Sequence, residues 1–182
     1  TLTLRKSPRY VDEEKCNGCG RCTEICPVEV YSEFDAGLGV RKAIYKSYGE
    51  AVPDVVVRDS EHCIGCGLCY DVCPTEAVLM DSEDFLQEFE IRGITSVIVS
   101  TGYSMYDPRN EPRYRYLTIP DVITSLEFER MLAPDGPTGG EIRRLSDGKI
   151  PGSIVLVQCV GSRNPAIGRN FCSSVCCMYT IK

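Results

Sequence analysis

The chain has 182 residues, a hydrophobic content of 43% and a formal net charge of −6. This length fits one or two domains, and the apolar content is enough for a packed core. The acidic balance argues against nucleic acid as a partner, and no apolar run reaches the roughly 18–20 residues of a helical membrane span.

The first cysteine run follows a polar lead-in and a short predicted strand at residues 10–12. Its members are Cys16, Cys19, Cys22 and Cys26. Pro27 comes next, so the run reads C-x2-C-x2-C-x3-C-P, which is the bacterial ferredoxin pattern for cubane iron–sulfur clusters. Gly18 and Gly20 allow the loop to turn tightly around a cluster.

The second cysteine run has the same spacing. Its members are Cys63, Cys66, Cys69 and Cys73, with Pro74 after them. A β-rich stretch at 55–57 precedes this run, so residues 9–27 and 56–74 form an internal repeat of strand, cluster loop and short helix. An apolar return segment at 75–80 closes the repeat. The spacer at 27–62 is longer than a minimal ferredoxin needs.

The spacing predicts two [4Fe–4S] clusters with crossed ligands, because in two-cluster ferredoxins the fourth cysteine of each run binds the other cluster. The expected ligand sets are Cys16, Cys19, Cys22 and Cys73 for cluster one, and Cys63, Cys66, Cys69 and Cys26 for cluster two. Disulfides are typical of oxidising compartments, and the sequence shows no secretory signal. Zinc sites usually pair two C-x2-C knuckles across a longer gap. The cysteines therefore predict a reducing, anaerobic cytoplasm.

From about Phe85 the character of the sequence changes, which predicts one domain at residues 1–85 and another at 89–182. Residues 94–100 form a β-branched apolar run typical of a strand buried on both faces. This run leads into Thr101, Gly102 and Tyr103. Residues 104–120 are rich in proline, arginine and tyrosine and predict an irregular segment.

The rest of the chain predicts a helix, a loop, a strand and the beginning of another helix. Residues 125–132 have helical spacing, with Ser125 as the expected N-cap. Prolines and glycines at 133–140 predict a loop, and residues 154–157 predict a second buried strand. A helix is expected to begin within 172–182. Since the chain stops inside that element, we expect it to be a fragment of a longer protein.

The remaining cysteines have the spacing C-x12-C-x3-C-C, which matches no common zinc or ferredoxin pattern. They are Cys159, Cys172, Cys176 and Cys177. Buried free thiols, a dithiol redox pair and a third metal cluster are the alternatives. Position favours a reactive role, since Cys159 follows a predicted strand end and the others lie near a predicted helix start. The G-x-G-x-x-G fingerprint is missing after this strand, so no pyridine nucleotide is expected at this turn.

The chain resembles the A subunit of heterodisulfide reductase, the iron–sulfur flavoprotein of methanogens and their relatives. The resemblance covers nearly all residues and rests on the doubled cysteine motif together with several further segments. Those segments are residues 33–39, 41–45, 100–103, 122–130, 136–140, 158–163 and 172–177. The last two are the most specific.

The resemblance implies an α+β chain, in which a two-[4Fe–4S] ferredoxin-like domain is followed by part of a thioredoxin-reductase-like α/β flavin domain. It implies that Cys159, Cys172, Cys176 and Cys177 bind a further [4Fe–4S] cluster, and that Thr101 and Gly102 lie against FAD. The family's FAD-binding glycine motif lies upstream of the ferredoxin insert, so this segment alone is not expected to hold FAD or to be catalytic.

The function implied is electron relay to or from a bifurcating FAD in an anaerobic oxidoreductase complex. The implied partners are the other heterodisulfide reductase subunits, a hydrogenase or formate dehydrogenase, and ferredoxin. A stand-alone ferredoxin-like carrier with an accessory domain is one alternative function. A thiol switch at Cys176 and Cys177 is another.

Overall fold

The computed structural model describes residues 1–80 and 87–181. For Gln87 it describes the backbone but not the side chain. The chain divides into two compact units, Thr1–Ser100 and Thr101–Lys182, called unit 1 and unit 2 below. The predicted boundary at residue 85 lies outside the described residues. No helix among the described residues is both long and apolar enough to cross a membrane.

The described part of unit 1 consists of short strands and two short helices. In chain order they are β1 (Leu2–Lys6), α1 (Arg21–Ile25), β2 (Glu29–Tyr31), β3 (Val40–Lys42), β4 (Ile44–Tyr45), β5 (Val57–Arg58), α2 (Leu68–Asp71) and β6 (Gln87–Ile91). The strands pair antiparallel as β1 with β6, β2 with β3 and β4 with β5. Among the described residues each sheet therefore has two strands.

The predicted repeat is visible in the backbone pairing of unit 1. The segment before each cysteine run pairs with the return segment of the other half: Val11 bridges Val78, and β5 pairs with β4. The Asp12 N–H donates to the Ala77 carbonyl at 2.8 Å, and the Asp59 N–H donates to the Ala43 carbonyl at 2.7 Å. This exchange holds the two halves together by backbone hydrogen bonds.

Both predicted entry strands are shorter than the sequence indicates. The strand expected at residues 10–12 is reduced to the single bridge at Val11, because Tyr10 has a φ of 56° and leaves the extended conformation. In the second half the strand covers Val57–Arg58. Val55 and Val56 are each 3% exposed and pack into the core instead.

The long spacer contains an inserted hairpin. In the second half the return segment follows Pro74 directly, whereas in the first half β2 and β3 come between Pro27 and the return strand β4. Arg41 on β3 pairs with Glu33 in the hairpin turn and with Asp59, both at 2.8 Å. The insertion is thereby tied to the segment that leads into the second cysteine run.

The core of unit 1 is small and contains cysteines. Its buried residues are Val11, Cys22, Ile44, Val56, Cys69, Ala77 and Val78. Cys16, Cys26 and Cys73 pack against this cluster. The fold therefore turns most of the two cysteine runs toward its interior.

The polar lead-in contains a strand that was not predicted. In β1, Leu2 lies opposite Ile91 and Leu4 lies opposite Phe89 of β6. Apolar residues thus alternate on one face of the pair, which stabilises a two-stranded ribbon through cross-strand contacts. The partner strand is far away in sequence, and for this reason the lead-in alone gives no signal.

The buried strand predicted at 94–100 is absent, so this prediction is wrong for the structure described. Residues 94–100 have no regular secondary structure. Val97, Ile98 and Val99 are 64%, 90% and 76% exposed. A strand forms only against a hydrogen-bonded neighbour, and no strand of the described residues pairs with this run.

Unit 2 is organised around the helix α3 (Ser125–Leu132), which confirms the predicted helix. Its N-cap is Thr124 rather than Ser125. The Thr124 hydroxyl accepts from the Glu127 N–H, and the Glu127 carboxylate accepts from the Thr124 N–H, which completes a capping box. Met131 on α3 is fully buried. The predicted loop at 133–140 is present, and residues 104–120 are irregular apart from two 3₁₀ turns, Pro108–Asn110 and Pro112–Tyr114.

The second predicted strand, at 154–157, is also absent from the structure. Its side chains are between 48% and 85% exposed, and the described residues provide no strand beside it. The expected helix near the end of the chain is α4 (Cys176–Ile181). Another 3₁₀ turn covers Pro165–Ile167.

Candidate metal centres

Both ferredoxin-type runs begin with the same aspartate turn. The Cys16 N–H donates to the Asp12 carbonyl, and the Cys63 N–H donates to the Asp59 carbonyl, each at 3.0 Å. The side chains of both aspartates accept from the backbone N–H groups that follow two and three residues later. These turns fix the direction in which the first cysteine of each run leaves the backbone.

Glycines in the left-handed conformation then wrap each loop. Gly18 and Gly65 both have φ values of 67°, while Gly20 and Gly67 have φ values of 77° and 81°. The second glycine of each pair is the N-cap of α1 or α2. The third cysteine of each run, Cys22 or Cys69, is consequently buried in the first turn of a helix.

One cavity joins the second run to the last cysteine of the first run. Its wall contains Cys26, Cys63, Cys66 and Cys69. The rest of the wall is mainly apolar and includes Ile44, Leu68 and Met80, together with Arg58. This is the ligand set expected for cluster two.

The chemistry of this wall fits a [4Fe–4S] cluster. Four thiols supply the donors, and apolar side chains limit the access of water, which affects the potential of such clusters. In the part of the chain that the structure describes, no three Cys, His, Asp or Glu side chains converge on the position of a single metal ion.

Three of the four cysteines expected for cluster one also lie in or against the core, although no described cavity contains all four. Cys22 is buried, Cys16 and Cys73 are half-buried, and Cys19 is exposed. The Cys73 sulfur accepts a hydrogen bond from the Ala77 N–H at 3.3 Å and lies 3.6 Å from the Thr75 hydroxyl oxygen.

The environments of these thiols affect their pKa values in opposite directions. Burial raises the pKa of Cys22 and Cys69, and the neighbouring thiols Cys16 and Cys63 add to this effect. Burial also acts to raise the pKa of Cys73, but hydrogen bonds from Ala77 and Thr75 outweigh it and the pKa of Cys73 is lowered. Ligation to iron requires thiolates, so the two buried thiols gain most from a bound cationic centre.

The remaining cysteines approach each other in unit 2, although Cys159 does not follow a strand. Cys159 has a φ of 60° and lies in a turn, Cys172 precedes α4, and Cys176 and Cys177 begin it. The Ser174 N–H donates to the Cys172 sulfur at 3.4 Å, and the Ser173 hydroxyl lies 3.8 Å from the Cys176 sulfur.

The thiols of the third set influence each other's pKa values. A backbone hydrogen bond from Cys159 is the main cause that lowers the pKa of Cys176. Hydrogen bonding with Cys176 and the negative charge of that residue raise the pKa of Cys177, with smaller contributions of the same sign from Cys159 and Cys172. Cys159 and Cys172 thus lie close enough to Cys176 and Cys177 to affect their pKa values, despite the long gap in sequence.

The two residues predicted to contact FAD, Thr101 and Gly102, lie in an exposed segment without regular secondary structure. Thr101 and Gly102 are exposed, and no strand ends at them. Gly102 has a φ of 71°, a conformation that suits glycine.

Polar and charged side chains next to the second cysteine run form contacts that the cysteine motif does not predict. The His62 side chain is 47% exposed, and its Nδ1 lies 2.8 Å from Asp59 Oδ2. Burial acts to raise the pKa of Asp59, but hydrogen bonds from Arg41 and His62 outweigh it and lower the pKa to about 2. Arg58, which the motif does not identify either, lines the cavity described above.

Two family models match the cysteine-rich part of the chain. Both are described as 4Fe–4S dicluster domains, and they match residues 15–78 and 55–113. The repeated loops, the shared cavity and these matches define an iron–sulfur protein of the two-cluster ferredoxin class.

Several curated proteins are similar to the chain along its whole length. The second iron–sulfur A subunit of the CoB–CoM heterodisulfide reductase of Methanopyrus kandleri is 52% identical over 182 residues. The A subunit of the H(2)/formate:CoB–CoM heterodisulfide,ferredoxin reductase of Methanococcus maripaludis is 52% identical over 181 residues. The A subunit of the ferredoxin:CoB–CoM heterodisulfide reductase of Methanosarcina mazei is 46% identical over 182 residues.

Over its whole length the chain is similar to a segment of heterodisulfide reductase A subunits, as its motifs predict. All of the chain is covered in each comparison, but it spans only 27%, 27% and 23% of the length of these relatives. It therefore corresponds to about a quarter of such a protein.

Proposed function

We propose that this chain is an electron-transfer segment that holds [4Fe–4S] clusters within the A subunit of a heterodisulfide reductase. The observation that carries the proposal is the cavity that joins Cys26 to Cys63, Cys66 and Cys69. Crossed ligation of this kind is the hallmark of two-cluster ferredoxins. By the same repeat, Cys16, Cys19, Cys22 and Cys73 hold the other cluster.

The residues of unit 1 bind and shield these groups. When bound, the clusters supply one-electron transfer. The glycine-rich loops position the thiolates, and Ile44 and Met80 limit the access of water at one centre. The Ala77 N–H and Thr75 hydroxyl stabilise negative charge on the Cys73 sulfur.

In unit 2 we propose a third [4Fe–4S] cluster bound by Cys159, Cys172, Cys176 and Cys177. The contributions of Cys159 and Cys172 to the pKa values of Cys176 and Cys177 support this proposal. We assign residues 89–182 to part of a thioredoxin-reductase-like flavin domain and residues 1–85 to the ferredoxin insert. The exposed apolar runs at 94–100 and 154–157 support this assignment, since such runs are typical of strands that pair in a larger parallel sheet.

In the whole protein we propose that Thr101 and Gly102 contact FAD and that electrons pass between this flavin and the clusters. The names of two relatives refer to H(2) or formate, a CoB–CoM heterodisulfide and ferredoxin, or to ferredoxin and a CoB–CoM heterodisulfide. We therefore propose that the other reductase subunits, a hydrogenase or formate dehydrogenase, and ferredoxin are its partners in a cytoplasmic oxidoreductase complex.

A stand-alone ferredoxin-like carrier is the second candidate, because unit 1 is compact by itself. Iron and flavin analysis of the anaerobically purified chain, and of the full-length protein that contains it, separates the two. We expect about twelve irons per chain from three four-iron clusters, and FAD in the full-length protein only. About eight irons would refute the third cluster, and a full-length protein without FAD would refute the flavin relay in favour of the carrier.

A further inference from the structure

Arg58 is a buried charge that the ferredoxin motif does not explain. Its side chain is 8% exposed. It lines the same cavity as Cys26, Cys63, Cys66 and Cys69. Burial of a guanidinium in an apolar core costs free energy unless a partner compensates the charge, so the identity of that partner is informative.

The contacts of Arg58 within the described residues leave its charge without a formal counterion. Nη2 donates to the Met80 carbonyl at 3.1 Å, and Nη1 lies 3.6 Å from the Met80 sulfur. The guanidinium stacks over the Tyr10 ring at 4.6 Å. Within residues 1–80 and 87–181, Nε is buried and has no hydrogen-bond partner. A carbonyl, a thioether and a ring compensate a buried cation only in part.

The internal repeat provides a matched position without this charge. Cys63 corresponds to Cys16 in the repeat, and Arg58 therefore corresponds to Val11. Val11 is 6% exposed and bridges Val78, in the same way that Arg58 pairs with Ile44. Two equivalent core positions thus differ by one positive charge.

We propose that Arg58 raises the reduction potential of the cluster held by Cys26, Cys63, Cys66 and Cys69 above that of the other cluster, an inference that rests on the proposed function. Four thiolate ligands make this site anionic, and reduction adds one electron without forming or breaking a bond. A fixed cation at the cavity wall, screened from water, stabilises the added charge.

The two clusters of unit 1 then have separate roles. At Val11 the described residues provide no such cation, so the cluster there is the stronger reductant of the pair. An electron supplied by a low-potential one-electron donor then resides preferentially on the cluster beside Arg58. The direction of the downhill step inside unit 1 is set by one residue.

The test is a mediated redox titration of the cluster-loaded protein, followed by EPR, for the wild type and Arg58→Met. We expect one cluster to become harder to reduce, with at least a tenfold lower ratio of reduced to oxidised form at a fixed potential, or about 59 mV for one electron. Arg58→Lys keeps the charge and is expected to retain most of the wild-type potential. Arg5→Met removes the same charge from an exposed ion pair with Glu88 and is expected to leave both potentials unchanged.

The shifted signal is assigned with Cys66→Ser, which perturbs the EPR signal of the cluster that Cys66 binds. If Arg58→Met does not assemble its clusters, Arg58→Gln replaces it, because glutamine keeps donor groups without the charge. An unchanged potential in the neutral variant, or an equal shift of both clusters, overturns the inference. Wild-type protein without bound iron would instead refute the proposed function, which makes the two failures distinguishable.

Discussion

The described residues of 1–91 and those of 94–181 differ in where their apolar segments find partners. In the first region, strands pair within the chain, as β4 does with β5 and β1 with β6. In the second, the apolar runs at 94–100 and 154–157 are exposed and have no strand beside them. The comparison indicates that an internal repeat can supply its own partner strands, whereas an isolated β-branched run cannot.

The cysteines follow the same division. In the first region five of the eight motif cysteines lie in or against one small core, and their positions follow from local loop geometry. In the second region the thiols come together across long loops, without a strand to direct Cys159. Iron binding in the first region is therefore expected to depend on residues of that region alone.

The substitution Cys26→Ser tests this expectation and should have the largest effect, a loss of bound iron. Because Cys26 lines a cavity with Cys63, Cys66 and Cys69, the variant is expected to lose the cluster of the second run, about four irons, and to keep that of the first. Iron analysis and EPR of the anaerobically purified protein measure this loss.

Cys176→Ser is the matched control in the second region. It is expected to leave both ferredoxin-type EPR signals intact, since Cys176 lies in unit 2. Loss of the first-run cluster in Cys26→Ser would show that the ligands do not cross.

The next largest effect is a difference in stability between alanine substitutions at equivalent glycines in the two halves of the repeat. Gly18 and Gly65 share a φ of 67°, so alanine at either position costs about 1–2 kcal/mol for the left-handed conformation. A Cβ at Gly18 would also lie 2.8 Å from the Asp54 carbonyl oxygen, whereas a Cβ at Gly65 meets nothing within 4 Å. Gly18→Ala is therefore expected to be the more destabilising substitution, by about a further 1 kcal/mol or more.

Denaturant unfolding of both alanine variants, with clusters bound, measures the difference in the free energy of unfolding. Equal losses at the two positions would contradict the close approach of Asp54 to the first loop. A larger loss at Gly65 would contradict it as well.

The first region could be predicted from sequence to the extent that its signals are local. Cysteine spacing, loop glycines and the return segment at 75–80 all indicated the repeat. The pairing of Leu4 with Phe89 could not be read from either segment alone, because it joins residues far apart in the chain. The burial of Arg58 was equally hidden, since charged residues are rarely found in a core.

In the second region, strand propensity was misleading. The β-branched residues at 94–100 indicate what the backbone does beside a neighbouring strand, but such a preference is a matter of packing and not of the segment itself. The helix α3 was predicted correctly because its capping box and its hydrogen bonds are local.

A smaller effect on stability tests whether α3 depends on its local N-cap. Thr124→Ala removes the hydroxyl that accepts from the Glu127 N–H at 3.2 Å and is expected to destabilise unit 2 by about 1 kcal/mol. Ser125→Ala is the matched control, since Ser125 is the first helical residue rather than the N-cap. Thermal unfolding of the two variants measures the difference, and an equal or larger loss in Ser125→Ala would restore Ser125 as the cap.

The smallest effect appears only at high pH and concerns Tyr116, whose hydroxyl donates to the Glu127 carboxylate at 3.0 Å. Burial and the negative charge of Glu127 raise the pKa of Tyr116 from 10 to about 12. Because the pKa is higher in the folded state, this contribution to stability is complete below pH 10 and is lost as the pH rises through about 12.

Ultraviolet titration of phenolate formation, taken as the difference between the wild type and Tyr116→Phe, isolates this one group among the ten tyrosines. We expect the difference signal to appear at higher pH than the signal of an exposed tyrosine. A titration midpoint near pH 10 would show that the Tyr116 hydroxyl does not donate a hydrogen bond to Glu127. The α3 cap, which uses the same carboxylate, would then be independent of the irregular segment at 104–120.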